Sequence, residues 1–328
     1  MAVWTIALAA GAGARLSSVT GAVPKQFWRL RSGLTLLEET LLRLRPLAPA
    51  ARTVVVAGTE HRPYVEGDGR SDLLRDVHVV LQPRARGTAA GVALGLIPVL
   101  DDSPDAFVVI SPSDHGVRDE HAYHQGLAAA LDHVDRTDDV VLCSVNATRP
   151  AQDYGWIVPG APRGSNQIRS IVTFSEKPEA SLAVALYRIG GLWNTMVTVA
   201  RARTLLALYR QYHPELASVF IQALRVPAAA RERWLADAYD TLEPVDFSRD
   251  LMTAARGLST AVWPGTMGWS DLGTPERLRQ WESGVEPGEA VGRHEPAHRP
   301  APDVANRVVS AAPRSNPRGS VRPARSVA

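Results

Sequence analysis

Short apolar runs of strand length recur through the first 145 residues, each ending in a cluster of small or acidic residues and followed by a stretch with helical spacing. This alternation constrains the chain more than any single motif. The runs lie at residues 3–9, 53–57, 77–81, 107–111 and 140–145, and the helical patterns at 34–44, after Gly87, and at 119–134. Strands alternating with helices predict an α/β, doubly wound sheet, mostly parallel here, with ligands beyond the carboxyl ends of the strands. The loop at Gly11, Gln82 at the end of its strand, the Gly87 turn and Asp114 all follow strands, so they are expected to share one crevice.

Beyond residue 150 the pattern changes. Residues 154–157 and 168–174 alternate like strands of an antiparallel or mixed extension, and 192–197 reads as a further apolar strand. Helices are expected over 204–212, 227–240 and 247–255, and a strand over 260–263. A last helix over 274–281 has Thr274 as its cap and Pro275 in its first turn. From Val285 the chain is rich in Pro, Arg, Ser and Ala without hydrophobic period, so the division is a domain over 1–284 and a disordered tail over 285–328.

Composition narrows the functional classes. A 45% hydrophobic fraction over 328 residues supports a sizeable core. No apolar run reaches the roughly 18 residues of a membrane span, and no basic segment precedes the first apolar stretch, so a cytoplasmic protein without membrane association is expected. The single cysteine, Cys143, excludes an internal disulfide framework or a cysteine zinc cluster, and its apolar neighbours mark a buried strand position. A net charge of +2 gives no general drive toward nucleic acid, and the tail arginines read as solvated. A homodimer is left open.

Leu8-Ala9-Ala10-Gly11-Ala12-Gly13-Ala14-Arg15-Leu16 after the first strand, with Pro24-Lys25-Gln26-Phe27 downstream, reads as a phosphate-handling loop. Small residues let backbone approach a bulky anion, and Arg15 and Lys25 supply charge. No Gly-Lys-Ser/Thr follows, and Leu16 stands where a dinucleotide fingerprint needs its third glycine. Of 36 basic residues only Lys25 and Lys177 are lysine, leaving 34 arginines. A compact ammonium fits a phosphate pocket that a planar guanidinium does not.

Together with Ser111-Pro112-Ser113-Asp114-His115, Thr148-Arg149-Pro150, Tyr154-Gly155, Phe174-Ser175-Glu176-Lys177-Pro178, Leu192-Trp193-Asn194 and Trp269-Ser270-Asp271-Leu272-Gly273, this loop resembles the ordered motifs of mannose-1-phosphate guanylyltransferases over about residues 1–281. The resemblance implies a Rossmann-like doubly wound mixed sheet of the nucleotide-diphospho-sugar transferase type. It also implies transfer of a nucleotide from GTP to mannose 1-phosphate. Carried over by position, Asp114 and Asp271 would ligate Mg²⁺, and Arg15 and Lys25 would bind the triphosphate and the departing pyrophosphate. The loop residues Ala10, Gly11 and Gly13, with Gln82, Gly87 and Thr88, would hold the rest of the nucleotide. Lys177 would grip the sugar phosphate, and Tyr154, Gly155, Glu176 and Asn194 the sugar.

The sequence departs from that family at Ala10, at Ser17-Ser18-Val19-Thr20, at the Gly87 turn, at Asp153 and at Met196, where a glycine is common. These positions cluster around base and sugar. Other sugar-1-phosphate nucleotidyltransferases using UTP, dTTP or ATP, and a silent regulatory subunit that binds a sugar nucleotide, therefore stand as alternatives.

Overall fold

The computed structural model describes residues 2–11 and 13–284, so the tail expected to be disordered, 285–328, lies outside the described residues. Among the described residues there are eleven strands: β1 Val3–Ala9, β2 Thr53–Gly58, β3 His78–Gln82, β4 Phe107–Pro112, β5 His115–Gly116, β6 Val141–Asn146, β7 Gly155–Arg163, β8 Ser165–Glu176, β9 Leu192–Arg201, β10 Ser259–Trp263 and β11 Ser270–Asp271. The α-helices are α1 Ser17–Thr20, α2 Leu36–Leu44, α3 Arg62–Val65, α4 Gly87–Asp102, α5 Glu120–Thr137, α6 Ala180–Arg188, α7 Ala202–Tyr212, α8 Pro214–Arg225, α9 Ala228–Tyr239 and α10 Pro275–Ser283.

Nine strands form one sheet in the order β3-β2-β1-β4-β9-β6-β10-β8-β7. The β3-β2-β1-β4 half is parallel, as the alternation predicts. The other half is not: β9 runs antiparallel between β4 and β6, and β7 and β8 pair antiparallel. The reversal of strand order beside β1 opens a crevice at the carboxyl ends of β1 and β4, the usual ligand position in such sheets.

Both faces of the sheet are covered, which explains why its central strands read as continuous apolar runs. Ile6, Val56, Val108 and Ile110 pack under α4, α7 and α8 on one side. Ala7, Val55, Val109 and Cys143 pack against α2 and α5 on the other, where burial raises the Cys143 thiol far above its ordinary value. A third, small cluster joins Leu16, Leu30, Leu36, Leu272 and Leu278, with Trp28 and Trp281 packed on it. It fastens the end of the first loop to the last helix.

Local signals behave as their chemistry requires. Thr35 and Glu38 form a reciprocal capping box at the start of α2, and Thr274 caps α10 ahead of Pro275. The helix expected over 247–255 is a six-residue π-helix, Phe247–Met252. The sequence reading gave no element to 214–225, where α8 buries Leu216, Ala217, Phe220 and Ala223 on one stripe.

Met196 sits at φ 63, in the left-handed region that costs a side chain with a Cβ roughly 1–2 kcal/mol. It lies where the pairing of β9 with β6 slips between Leu142 and Ser144. Met196→Asn is expected to raise stability by about 0.5–1 kcal/mol, since Asn tolerates this conformation. That is a gain of about one to four degrees, readable by thermal melting.

Candidate functional site

The first loop is held from below by the residue after Lys25. The buried Gln26 donates from Nε2 to the carbonyls of Ala9, at 2.6 Å, and Gly11, at 3.2 Å. A Cβ on Gly13 (φ 65) would meet Lys25 Cγ at 3.0 Å, so the loop lies directly over the lysine, while a Cβ on Gly11 would meet nothing within 4 Å. Sequence reasoning took Gln26 only as part of a motif. Its function is to tie the loop to the body of the sheet.

Beneath Gln26, His61 is buried and accepts from Gly58 N at Nδ1, 3.2 Å away. Burial lowers its basicity, with Glu60 partly opposing. Below its ordinary value near pH 6.5 the unfolded chain therefore binds a proton that the folded site refuses, and stability falls on acidification. His61→Gln is expected to flatten that limb relative to the parent, by up to about 1.4 kcal/mol per pH unit, in denaturant titrations between about pH 5 and 7.

Lys25 makes a close ion pair with Asp114, just beyond β4, and both side chains are largely shielded. Burial alone would raise the Asp114 carboxyl, but the Lys25 ammonium and then His115 hold it below its ordinary range. Asp271 is brought alongside by pairing of the two shortest strands: Asp271 lies opposite His115, and Leu272 N donates to Asp114 O at 3.0 Å. The Asp271 carboxylate accepts from Gly273 N at 2.6 Å and from Arg277 Nη1 at 2.9 Å. Arg15, exposed, places Nη2 3.0 Å from where a Cβ on Gly273 would stand. Thus Arg15, Lys25, Asp114 and Asp271 gather at one end of the sheet, although 256 positions separate the first from the last.

Two further residues complete this cluster without having been singled out. Arg277 pairs with Asp153 as well as Asp271, and its guanidinium lies over the Tyr154 ring, 4.7 Å from the centroid. His115 accepts at Nδ1 from Trp269 Nε1, 3.3 Å away. The i+6 spacing of Asp271 and Arg277 across a helix start carries no sequence signal. Asp153 was visible only as a departure from family pattern.

Neighbouring strands assemble the second group. Gly155 in β7 lies opposite both Glu176 in β8 and Asn194 in β9. A Cβ on Gly155 would stand 2.6 Å from Glu176 Oε2 and 3.3 Å from Asn194 Cβ, so only glycine leaves that space. Burial raises the Glu176 carboxyl above its ordinary value, against the opposing charge of Lys177, whose Nζ is 3.4 Å away. Lys177 has φ 47 and donates its N–H to Tyr154 O at 3.2 Å, leaving its ammonium half exposed. Asn194 Oδ1 accepts from Met196 N at 3.1 Å. Tyr154 itself is buried against Trp193, with ring centroids 4.5 Å apart, so it shapes this region through packing and its carbonyl.

The remaining expected nucleotide contacts are arranged differently. Ala10 packs partly buried on the core beneath the loop. Gln82 is buried, with Oε1 3.3 Å from where a Cβ on Gly91 would stand, against α4. Gly87 and Thr88 stay exposed at the start of α4, but Thr88 Oγ1 accepts from Phe247 N at 2.7 Å and Ala89 N donates to Val245 O at 3.0 Å. The turn is therefore bound to segment 245–247, an interaction the sequence does not advertise.

A family model described as nucleotidyl transferase matches residues 4–286. The alginate biosynthesis protein AlgA of Pseudomonas fluorescens is 30% identical over 275 residues, covering 82% of this chain and 56% of that protein. The mannose-1-phosphate guanylyltransferase ManC of Salmonella typhimurium is 25% identical over 298 residues, covering 89% of this chain and 61% of that one. The chain thus spans about half to three-fifths of these curated relatives. Among solved structures, a Thermus thermophilus protein described as mannose-1-phosphate geranyltransferase superposes with a TM-score of 0.73 at 28% identity, covering 83% of this chain and 77% of that one. A UDP-glucose pyrophosphorylase complexed with UDP-glucose gives 0.57 at 14% identity, covering 87% and 98%, and shares the fold. The match to the family model spans nearly all of the described sheet and both residue groups at its carboxyl ends, and the chain belongs to the nucleotidyl transferase family.

Proposed function

We propose that this chain joins GTP and mannose 1-phosphate into GDP-mannose and pyrophosphate. The observation that carries this reading is the convergence of Arg15, Lys25, Asp114 and Asp271 next to a strand-built group of Glu176, Lys177 and Asn194. An oxygen of the sugar phosphate attacks the α-phosphorus of the triphosphate in line. That P–O bond forms as the bond to the β-phosphate oxygen breaks, and pyrophosphate departs with the electron pair. The attacking oxygen is already ionised at neutral pH, so no general base is required and positioning plus charge stabilisation carry the rate.

Each residue then has a task set by its surroundings. Lys25, partly desolvated and paired with Asp114, is a cation that an incoming phosphate can recruit. Arg15, exposed at the lip of the loop, meets the leaving pyrophosphate. Lys177 holds the sugar phosphate, and Glu176 and Asn194 hold sugar hydroxyls. Among the described residues no group of three or more His, Cys, Asp or Glu could hold a metal. The Asp114 and Asp271 pair fits Mg²⁺, which is typically held by one or two carboxylates with substrate phosphates. When bound, Mg²⁺ would neutralise charge on the phosphates. No described helix is long and apolar enough to cross a membrane.

GTP, UTP, dTTP and ATP, each with mannose 1-phosphate or glucose 1-phosphate, should give pyrophosphate release fastest for GTP with mannose 1-phosphate, by about 10-fold or more. A different best pair would replace the substrates but keep nucleotidyl transfer. Binding of GDP-mannose with no turnover of any pair would favour a regulatory subunit.

A further inference from the structure

Loop 30–34, α2, the turn after β5 and α10 line an open pocket of about 510 Å³. That is within the roughly 300–1,000 Å³ range of small-molecule sites. Its apolar wall includes Leu34, Leu42, Val117 and Trp281, and three arginines, Arg31, Arg43 and Arg118, line it. Two of its carboxylates are engaged: Glu39 accepts from the Ser32 hydroxyl at 2.9 Å, and Glu282 from Arg31 N at 2.8 Å.

Arg43 is the distinctive residue. Its side chain is 3% exposed, and Nε makes no hydrogen bond, with the mostly exposed Glu120 carboxylate 3.6 Å away. A buried guanidinium N–H without an acceptor costs about 1–3 kcal/mol, which an anionic ligand would recover.

The same walls touch the strand pair that aligns the two carboxylates. Arg43 Nη1 donates to His115 O at 3.1 Å. A Cβ on Gly116 would come within 2.7 Å of the Trp281 ring, so β5 lies flat against that indole, which also packs on the small leucine cluster and carries the Arg118 guanidinium 3.7 Å from a ring centroid. We propose that this cavity is an effector site for a small organic phosphate, with its anionic head on Arg43 and its apolar body against Leu42 and Trp281. A ligand there competes with His115 O for Arg43 and displaces Trp281 from Gly116. Both changes shift β5 against β11, and with it the spacing of Asp114 and Asp271, lowering turnover.

Phenyl phosphate is the probe, titrated calorimetrically into the full chain saturated with GDP-mannose, with inorganic phosphate and phenol as the separate halves. Saturable binding is expected for phenyl phosphate, weaker by about 10-fold or more for either half. L42W, which fills the cavity from a side chain 40% exposed, should abolish binding while leaving basal pyrophosphate release unchanged. R43Q should weaken binding even where it also lowers stability. Bound phenyl phosphate should alter hydrogen exchange over residues 114–118 and reduce parental turnover by about 5-fold or more. No saturable binding, binding that survives both L42W and R43Q, or binding that leaves exchange at 114–118 unmoved would overturn the proposal. The binding and exchange readouts stand whether or not the chain transfers nucleotides to mannose 1-phosphate.

Discussion

Asp271→Asn is expected to lower turnover by about 10²-fold or more at saturating substrates, with the melting temperature little changed. The substitution keeps the size of the side chain and an oxygen for Gly273 N, which now donates to Oδ1 at 2.6 Å. It removes the charge. Arg277 loses one of two carboxylate partners but keeps Asp153, so the α10 end stays anchored. What disappears is half of the anionic pair proposed to hold Mg²⁺ against the phosphates. Pyrophosphate release followed across a range of Mg²⁺ concentrations separates the causes. A deficit that high Mg²⁺ repairs is a loss of affinity, and one that persists is a loss of transition-state stabilisation. Near-normal activity at ordinary Mg²⁺ would remove Asp271 from the reaction.

Gly87→Ala should produce the largest stability change among the positions proposed to line the nucleotide side. Gly87 has φ 81, and a Cβ there would stand 2.1 Å from Val245 O and 2.6 Å from its carbonyl carbon. Backbone cannot rotate away as a flexible side chain can, so either α4 or segment 245–247 must move. The left-handed conformation costs roughly 1–2 kcal/mol and the overpacking about 1–3 more, giving a loss of about 2–5 kcal/mol. Because that segment donates Phe247 N to Thr88 Oγ1, displacement also frees the start of α4. Urea denaturation should show a lower midpoint at unchanged slope. An unchanged midpoint would mean that segment 245–247 yields without cost.

The parallel half of the sheet was legible because β1, β2 and β4 are buried on both faces and so read as unbroken apolar runs ended by turn residues. The antiparallel insertion of β9 was not. A ten-residue apolar strand carries no mark of its direction, and its neighbours in the sheet, β4, β6 and β7, all precede it in the chain. The expected helix over 204–212 ends where α7 ends, at Tyr212, and α8 after it carried a readable signal that was passed over, Pro214 at its first turn and apolar residues at helical spacing.

In the site, the aspartates, lysines and strand-borne Glu176 and Asn194 were visible as motif members. Their partners were not, because ion pairs such as Arg277 with Asp153, and hydrogen bonds such as Gln26 with Ala9 O, join positions 124 and 17 residues apart. No local period encodes contacts of that range.

The small leucine cluster that fastens Leu16 to Leu272 and Leu278 has a consequence for how the protein is made. A ribosome delivers the first loop early and Asp271 some 250 residues later, and β10, which fills an interior place between β6 and β8, emerges just before it. Closing so long a loop is slow relative to local helix formation. A nascent chain can therefore possess a folded amino-terminal half while lacking the pair of carboxylates, and competence arrives in one late step, when residues 259–283 dock and seal the sheet and the site together.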